Sequence, residues 1–483
     1  MKLKKLPIGI QTFREVITRD LLYVDKTKQA LNLLENYKYV FLSRPRRFGK
    51  SLFMDMLHNI YEGNQELFEG LHIYKKWDWS VKFPVIKISF SGGIRDAESL
   101  NENLLKLLKS NQDRLGVKCE ETGNANFCFE ELIEKVHQKY EQPVVVLIDE
   151  YDKPILDVLH DIEEAKAIRN GLRDFYSKIK ESDRYLKFAM LTGVSRFAKV
   201  SIFSGLNNLE DISLHEDYSD VCGYTSREME ASFEPYLQNV DKAEIKKWYN
   251  GYNFLGEAVY NPFDILLFIK NKKQFKNYWF ETGTPTMLID LIKDRQYFLP
   301  NFEQLEVDES LINSFDIENI SLETVMFQAG YLTIKEQIVS QENKTRYLLD
   351  FPNFEVQTSF YDYILNNIVL VSQKGQISDE LYRIFNNGNV EDLEPLISQL
   401  FSSIAYNNFT NNNIENYEGF YASVLYAYFA SLGVSISAED VTNQGRIELT
   451  ICVDDKTYIF EFKVISESPL SQIKEKKYYE KYS

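Results

Sequence analysis

Arg44-Pro45-Arg46-Arg47-Phe48-Gly49-Lys50-Ser51 is the stretch whose residue types and spacing are best suited to chemistry. A tight loop ending in Gly-Lys-Ser at the start of a helix binds phosphate. Backbone N–H groups face the anion, the Lys reaches the terminal phosphates, and the Ser hydroxyl takes Mg²⁺. In the general pattern G-x-x-x-x-G-K-[ST] the first Gly falls on Arg44, so the match is partial. Arg46, Arg47, Phe48, Gly49, Lys50, Ser51 and Leu52 form the candidate binding set, with Lys50 catalytic and Ser51 on the metal. The plainer alternative is a basic loop before an ordinary surface helix.

A second set stands about 100 residues on. Val144-Val145-Val146-Leu147-Ile148-Asp149-Glu150 is an apolar run tipped by two acids. A strand end there delivers Asp149 beside Ser51, where a carboxylate completes the Mg²⁺ shell, and leaves Glu150 able to activate water. A solvated end of a core strand would read the same way in isolation. A third run, Leu186 to Thr192, leads into Gly193-Val194-Ser195-Arg196. Thr192, Ser195 and Arg196 are candidates for sensing the terminal phosphate. Equally, Ser195 could cap the next turn and Arg196 could pair with Asp211 or Glu210.

The elements that must hold these residues follow from periodicity. Tyr37 to Ser43 reads as a buried strand and Ser51 to Tyr61 as a helix. Val81 to Phe90 reads as a further strand, and Leu100–Leu115, Glu130–Tyr140 and Asp161–Lys180 as helices. Strands alternating with helices predict a mainly parallel α/β sheet, which binds ligands at the carboxyl ends of its strands. From Tyr224 to about Lys293 the pattern is helical, broken by Asn-Gly and Asn-Pro turns. Gly330–Ile334 and Arg346–Phe351 predict a hairpin around Ser340–Lys344. The expected segments are 1–223, a core; 224–370, a mostly helical lid with a mixed connecting region; and 371–483, a last α/β unit.

Composition narrows the class. The chain has 483 residues, 44% of them hydrophobic and 26% charged, the balance of a globular protein with several domains. Four scattered Cys without a C-x-x-C pair argue for a reducing cytoplasm and against a zinc site or a disulfide framework. No apolar run approaches a membrane span, and the basic N-terminus is not followed by the apolar core of a signal peptide. A net charge of −17 repels nucleic acid at long range, so DNA binding would need a local basic patch. Arg44, Arg46 and Arg47 are expected to supply the positive charge that lets an acidic chain hold a triphosphate.

Near the C-terminus, Gly445–Val453 and Lys456–Val464 flank Asp454-Asp455, a two-residue hairpin loop. That register sets Val453 opposite Lys456, Leu449 opposite Phe460 and Glu448 opposite Glu461. Ile447, Leu449 and Ile451 then share a face with Tyr458, Phe460 and Phe462, and Glu448, Glu461 and Lys463 take the other. Facing carboxylates repel, and a divalent cation between them offsets the repulsion.

Together RPRRFGKS, LIDEYDKP and LTGVSRFAKVSIFSGLNNLEDIS resemble the motifs of the predicted AAA-ATPase-like family, which is bacterial and archaeal. The resemblance continues through WYNGYNF, VYNPFDIL, TGTP and FQAGYLTI, and in that family Arg is usual at the position of Arg44. It implies a P-loop NTPase core binding ATP, a helical lid or winged-helix-like middle region, and a C-terminal PD-(D/E)XK nuclease-like domain. Glu448 and Glu461 match that domain's acids, which hold Mg²⁺ or Mn²⁺, and Lys463 its lysine, which positions water. Glu418 and Glu439 match further acids, and Gln472 a helix Gln. Glu448 replaces the usual Asp, and family members continue past the helix that ends here at Ser483, so a shortened domain is expected. The function implied is an ATPase coupled to a metal-dependent nuclease acting on DNA, with homo-oligomer formation open and no residue marking itself as a trans Arg finger. The alternative is a nucleotide-dependent switch whose nuclease-like domain is inactive and recognises a partner.

Overall fold

A computed structural model describes the chain except residues 1–2, 91, 197–201, 204–205, 207, 280–287, 289–291, 293–298, 314–316, 319, 343, 369–370, 403–417, 442–444, 462–468 and 483. Five strands build the first sheet: β1 (Tyr39–Ser43), β2 (Val85–Ser89), β3 (Val144–Asp149), β4 (Leu186–Gly193) and the short β5 (Glu210–Asp211). Their order is β2-β3-β4-β1-β5 and every pairing is parallel. β1 and β3 are buried along their whole length, as strands covered on both faces must be. β2 starts four residues later than its apolar run suggests. Pro84 has no N–H to give a ladder; its carbonyl instead accepts from Val145 N at 2.9 Å. β5 is two residues long and carries no strand-like run, so periodicity gives no sign of it.

Helices Ala97–Leu115, Ala125–Tyr140 and Ile162–Glu181 each begin on a side-chain cap, from Asp96, Asn124 and Asp161. The latter two meet through Phe129 and Phe175, stacked at 4.5 Å. Helix Lys50–Tyr61 follows β1 directly.

By compactness the chain divides into two units: residues 1–279 with 306–352, and residues 280–305 with 353–483. The first therefore takes in helices Ser226–Phe233, Lys242–Tyr249 and Pro262–Lys270. Their core of Phe233, Tyr249, Ile265 and Phe268 also contains Val24 from the N-terminal segment. That shared core is why the chain does not part at 223. The same unit holds β7 (Thr333–Val339) and β8 (Thr345–Asp350), antiparallel, with β6 (Leu305–Asp308) on the far side of β8. Ser340 N donates to Lys344 O at 2.9 Å, closing the hairpin at the expected place, and one bulge falls between Ile334 and Glu336.

In the second unit, helix Glu418–Ser431 has Val424 to Ala430 at 3% exposure or less, the mark of a helix covered on all sides. Helix Phe354–Ile368 supplies part of that cover, with Tyr361 meeting Tyr426 at 5.4 Å, so this unit begins before the expected 371. Its sheet runs β11 (Lys456–Phe460), β10 (Arg446–Val453), β9 (Ser435–Val441), and β10–β11 holds the predicted register from Val453↔Lys456 to Leu449↔Phe460.

Candidate functional site

β1 ends at Ser43 and the next six residues turn into the helix that starts at Lys50. The turn needs two left-handed residues, Arg47 (φ 70°) and Gly49 (φ 93°). Only Gly takes that conformation freely, and nothing lies within 4 Å of a Cβ built on Gly49, so space is open over the loop. Phe53 N closes the first helical turn onto Gly49 O, leaving the preceding amides for an anion. The Lys50 ammonium is 7% exposed and donates to the Arg44 and Pro45 carbonyls at 2.9 and 3.0 Å. Burial pulls its pKa below the usual lysine value, against the pull of Asp149. Ser51 and Leu52 follow on the helix, half-buried.

The three arginines do not act alike. Arg46 and Arg47 are exposed, and the Arg47 guanidinium lies 4.7 Å from the centre of the Phe263 ring. Arg44 is 1% exposed and turns inward, which corrects its placement among the phosphate-facing charges. It donates to Ser43 O, Ser213 O and Tyr218 O and lies 3.8 Å over the Phe254 ring. Burial pushes its pKa down to about 10. Phe48 is also interior, edge-on to Tyr252 at 4.7 Å, and lines the cavity beside the loop. Behind the loop Gly330 (φ 92°) approaches so closely that an added Cβ would sit 2.7 Å from Pro45 Cβ.

Asp149 ends β3, and β4 lies between β3 and β1. Thr192, at the tip of β4, donates its hydroxyl to Asp149 Oδ1 at 2.6 Å, and Glu150 N donates to the same oxygen at 3.0 Å. Glu150 is left-handed (φ 54°) and half-buried, and burial together with Asp149 raises its pKa. Ser195 and Arg196 take other work. Arg196 Nη2 pairs with Asp211 Oδ2 at 2.6 Å, and Arg196 N donates to Gln328 Oε1 at 2.9 Å.

Sequence reasoning missed Asp152. It is 1% exposed, and its Oδ2 accepts from Val194 N at 2.9 Å and Ser195 N at 2.5 Å. Tyr151 Oη adds a bond to Ser195 O at 2.9 Å. Gly193 leaves no room for a side chain, since a Cβ there would stand 2.5 Å from Asp152 Oδ1. The turn after β3 thus grips the tip of β4. Its signal was available two residues beyond Glu150, but a strand-end reading stops at the strand.

Beside the loop is a cavity of about 70 Å³, lined by Tyr23, Val24, Lys26, Gly49, Leu52 and Cys222 among others. Its walls come from the segment ahead of β1, the P-loop helix and the 221–224 turn. Lys26 Nζ is held by both Glu228 oxygens at 2.6 and 2.7 Å and by Asp220 O at 2.8 Å. Among the described residues, no group of three or more His, Cys, Asp or Glu is placed to hold a metal by itself.

In the second unit, Glu461 is 8% exposed and its Oε2 accepts from Gln472 Nε2 at 3.1 Å. It follows β11 directly, one step beyond the Leu449↔Phe460 pair, which puts Glu448 next to it on β10. The pairs Ile447↔Asp440 and Leu449↔Ala438 bracket Glu448 against Glu439 on the other side. Lys463 lies outside the described residues, as do Phe462, the TGTP run and the side chains of Glu418 and Glu439. Asp440, which the sequence reading passed over, binds Thr450 at 3.2 Å and also Lys481 and Tyr482.

Comparison with known proteins agrees with this layout. A family model described as "Predicted AAA-ATPase" matches residues 7–203, and one for the PD-(D/E)XK nuclease superfamily matches residues 416–483. A protein of Azotobacter chroococcum mcd 1, described as "Uncharacterized protein in vnfD 5'region", is 48% identical over 493 residues, spanning all of this chain and 94% of that protein. Among solved structures, the Aeropyrum pernix ORC1 protein in complex with DNA matches at 12% identity and a TM-score of 0.29, over 72% of this chain and 96% of that one. The chain belongs to the predicted AAA-ATPase-like family and carries a PD-(D/E)XK nuclease superfamily domain in its C-terminal region.

Proposed function

We propose that this protein binds and hydrolyses ATP in its first unit, coupled to metal-dependent cleavage of DNA by its nuclease-like domain. The observation that carries the first part is the Thr192–Asp149 bond at the ends of neighbouring strands, with the Asp149 charge acting on Lys50 at the helix start. ATP would lay its phosphates over Gly49, Lys50 and Ser51, with Arg46 and Arg47 at the open side and the base in the cavity beside Tyr23 and Leu52. Lys50 would exchange two loop carbonyls for phosphate oxygens. Mg²⁺, held by Ser51 and Asp149, would supply charge neutralisation between the phosphates. Glu150 is suited to accept a proton from water, because a raised carboxylate pKa makes a better base. Thr192 would hold Asp149 in place, and Ser195 and Arg196 would fix the loop behind it. Helices Ser226–Phe233, Lys242–Tyr249 and Pro262–Lys270 would act as the lid.

For the second part, Glu448 and Glu461 are the proposed ligands of Mg²⁺ or Mn²⁺, with Lys463 as the lysine that positions water. The support is the adjacency of Glu439, Glu448 and Glu461 across three strands and the Gln472 bond that orients Glu461. The family assignment supports both parts. The test is phosphate release from ATP with Mg²⁺, expected to fall about 100-fold or more in Lys50→Ala. Unchanged turnover in that variant overturns the assignment. Thermal stabilisation by ATP without phosphate release would instead make the site a nucleotide-dependent switch. Plasmid nicking in Mn²⁺ should vanish in Glu461→Ala and Lys463→Ala, and nicking that persists in both removes the nuclease reading.

A further inference from the structure

Arg44 has no role in the phosphate site, yet it is a buried cation whose bonding partners are three carbonyls and an aromatic face. Among the described residues no carboxylate bonds to it, and its Nε hydrogen, buried from solvent, has no acceptor. Arg196 is in a similar position: Asp211 takes Nη2, while Nε and Nη1 are buried without an acceptor among the described residues. These two guanidiniums, one from the first residue after β1 and one from the loop after β4, line a single cavity of about 20 Å³. Ser213, Phe254, Phe327 and Gln328 complete most of its wall, and no acid is among the described residues that line it.

The acceptors nearby are already engaged. Ser213 O takes Arg44, Ser213 Oγ takes Ser43 N, and Gln328 Oε1 takes Arg196 N. Each of these oxygens keeps a second lone pair, so what the cavity has in excess is donors: Arg44 Nε–H and the Arg196 Nε–H and Nη1–H find no acceptor among the described residues. A water molecule needs acceptors for its own hydrogens and makes two to four bonds in a buried site. An anion needs donors only, and it adds a counter-charge to a cluster in which Asp211 balances one of the two guanidiniums. A volume of about 20 Å³ suits one small sphere better than a polyatomic anion.

We infer that this cavity is a binding site for one halide-sized monovalent anion, held between Arg44 and Arg196. In cells the available ion of that size is chloride. Gly49, Lys50 and Ser51 are not among its described lining residues, and it joins the start of the loop after β1 to the loop after β4. It stands or falls independently of ATP hydrolysis.

Crystals of the full chain grown or soaked in sodium bromide test it directly. The expected result is an anomalous peak in hydrogen-bonding reach of Arg44 Nε and the free nitrogens of Arg196. Ordinary density without anomalous signal there means water, and an empty cavity means no site; either result overturns the inference. In solution, chloride and bromide should raise Tm above gluconate at equal ionic strength, saturably. Arg196→Gln, which removes the charge and keeps a planar polar group, should abolish the difference between anions. A Tm that depends on ionic strength alone, or an anion effect that persists undiminished in Arg196→Gln, also overturns it.

Discussion

Lys50 and Glu150 share one site and are shifted toward each other on the pH scale. Burial lowers the first and raises the second. If Glu150 must be ionised and Lys50 protonated, kcat/KM for ATP should trace a bell narrower than ordinary Glu and Lys values would give, since that parameter reports the free enzyme. A flat profile across the weakly acidic range would remove Glu150 from the base role. The same shift predicts a stability effect. A carboxyl with a raised native pKa holds more protons folded than unfolded, so its contribution weakens as pH rises above the unfolded value. Glu150→Gln should therefore be more stable than the natural protein at pH 7 and lose that advantage toward pH 4 in urea titrations. At this scale the sequence was legible where a motif names both residue and neighbour, as for Lys50, Ser51 and Asp149. It misled for Arg44, because a motif position does not say which way a side chain points. Ser43, Ser213, Tyr218 and Phe254, which capture Arg44, are brought to it from as far as 210 residues along the chain.

One tie between the elements around the site is exposed to direct test. Lys26 stands at the head of helix Thr27–Asn36, and its partner Glu228 completes the capping box of helix Ser226–Phe233. Their side chains are 9% and 20% exposed. Removing one partner of a largely buried pair leaves a charge without its counterion, so Lys26→Met should cost about 3 kcal/mol by urea unfolding. Adding Glu228→Gln should return part of that loss. If the double variant is no more stable than the single one, the pair is not what joins the two helices. Elements with strong periodicity were readable in advance: β1, β3, β4, three long helices and the C-terminal hairpin with its register. Those that depend on distant partners were not. β5 exists because Val40 and Phe41 offer it a ladder, and residues 210–211 alone give no reason to be extended.

For the whole molecule, the chain passes between its two compact units three times, at 279–280, 305–306 and 352–353. Neither unit is a contiguous segment. A fragment of residues 371–483 omits helix Phe354–Ile368, whose Tyr361 packs on Tyr426. That fragment should show helical far-UV circular dichroism with weak near-UV signal and poor NMR dispersion, as loosely packed states do. A well-dispersed spectrum would show that the nuclease-like domain folds from 371 onward. The order of the first sheet has a consequence for synthesis. Within the sheet β1 pairs with β4 and β5, Tyr39 with Ala189 and Val40 with Glu210. While the ribosome makes the residues that follow the P-loop, β1 therefore has no neighbour in the sheet. At about 5–20 residues per second that interval is roughly 10–30 seconds, during which an apolar strand and a basic loop wait unpaired on the nascent chain. Chaperone capture of the emerging N-terminal third, rather than of the finished protein, is the expected point of vulnerability in the life of this molecule.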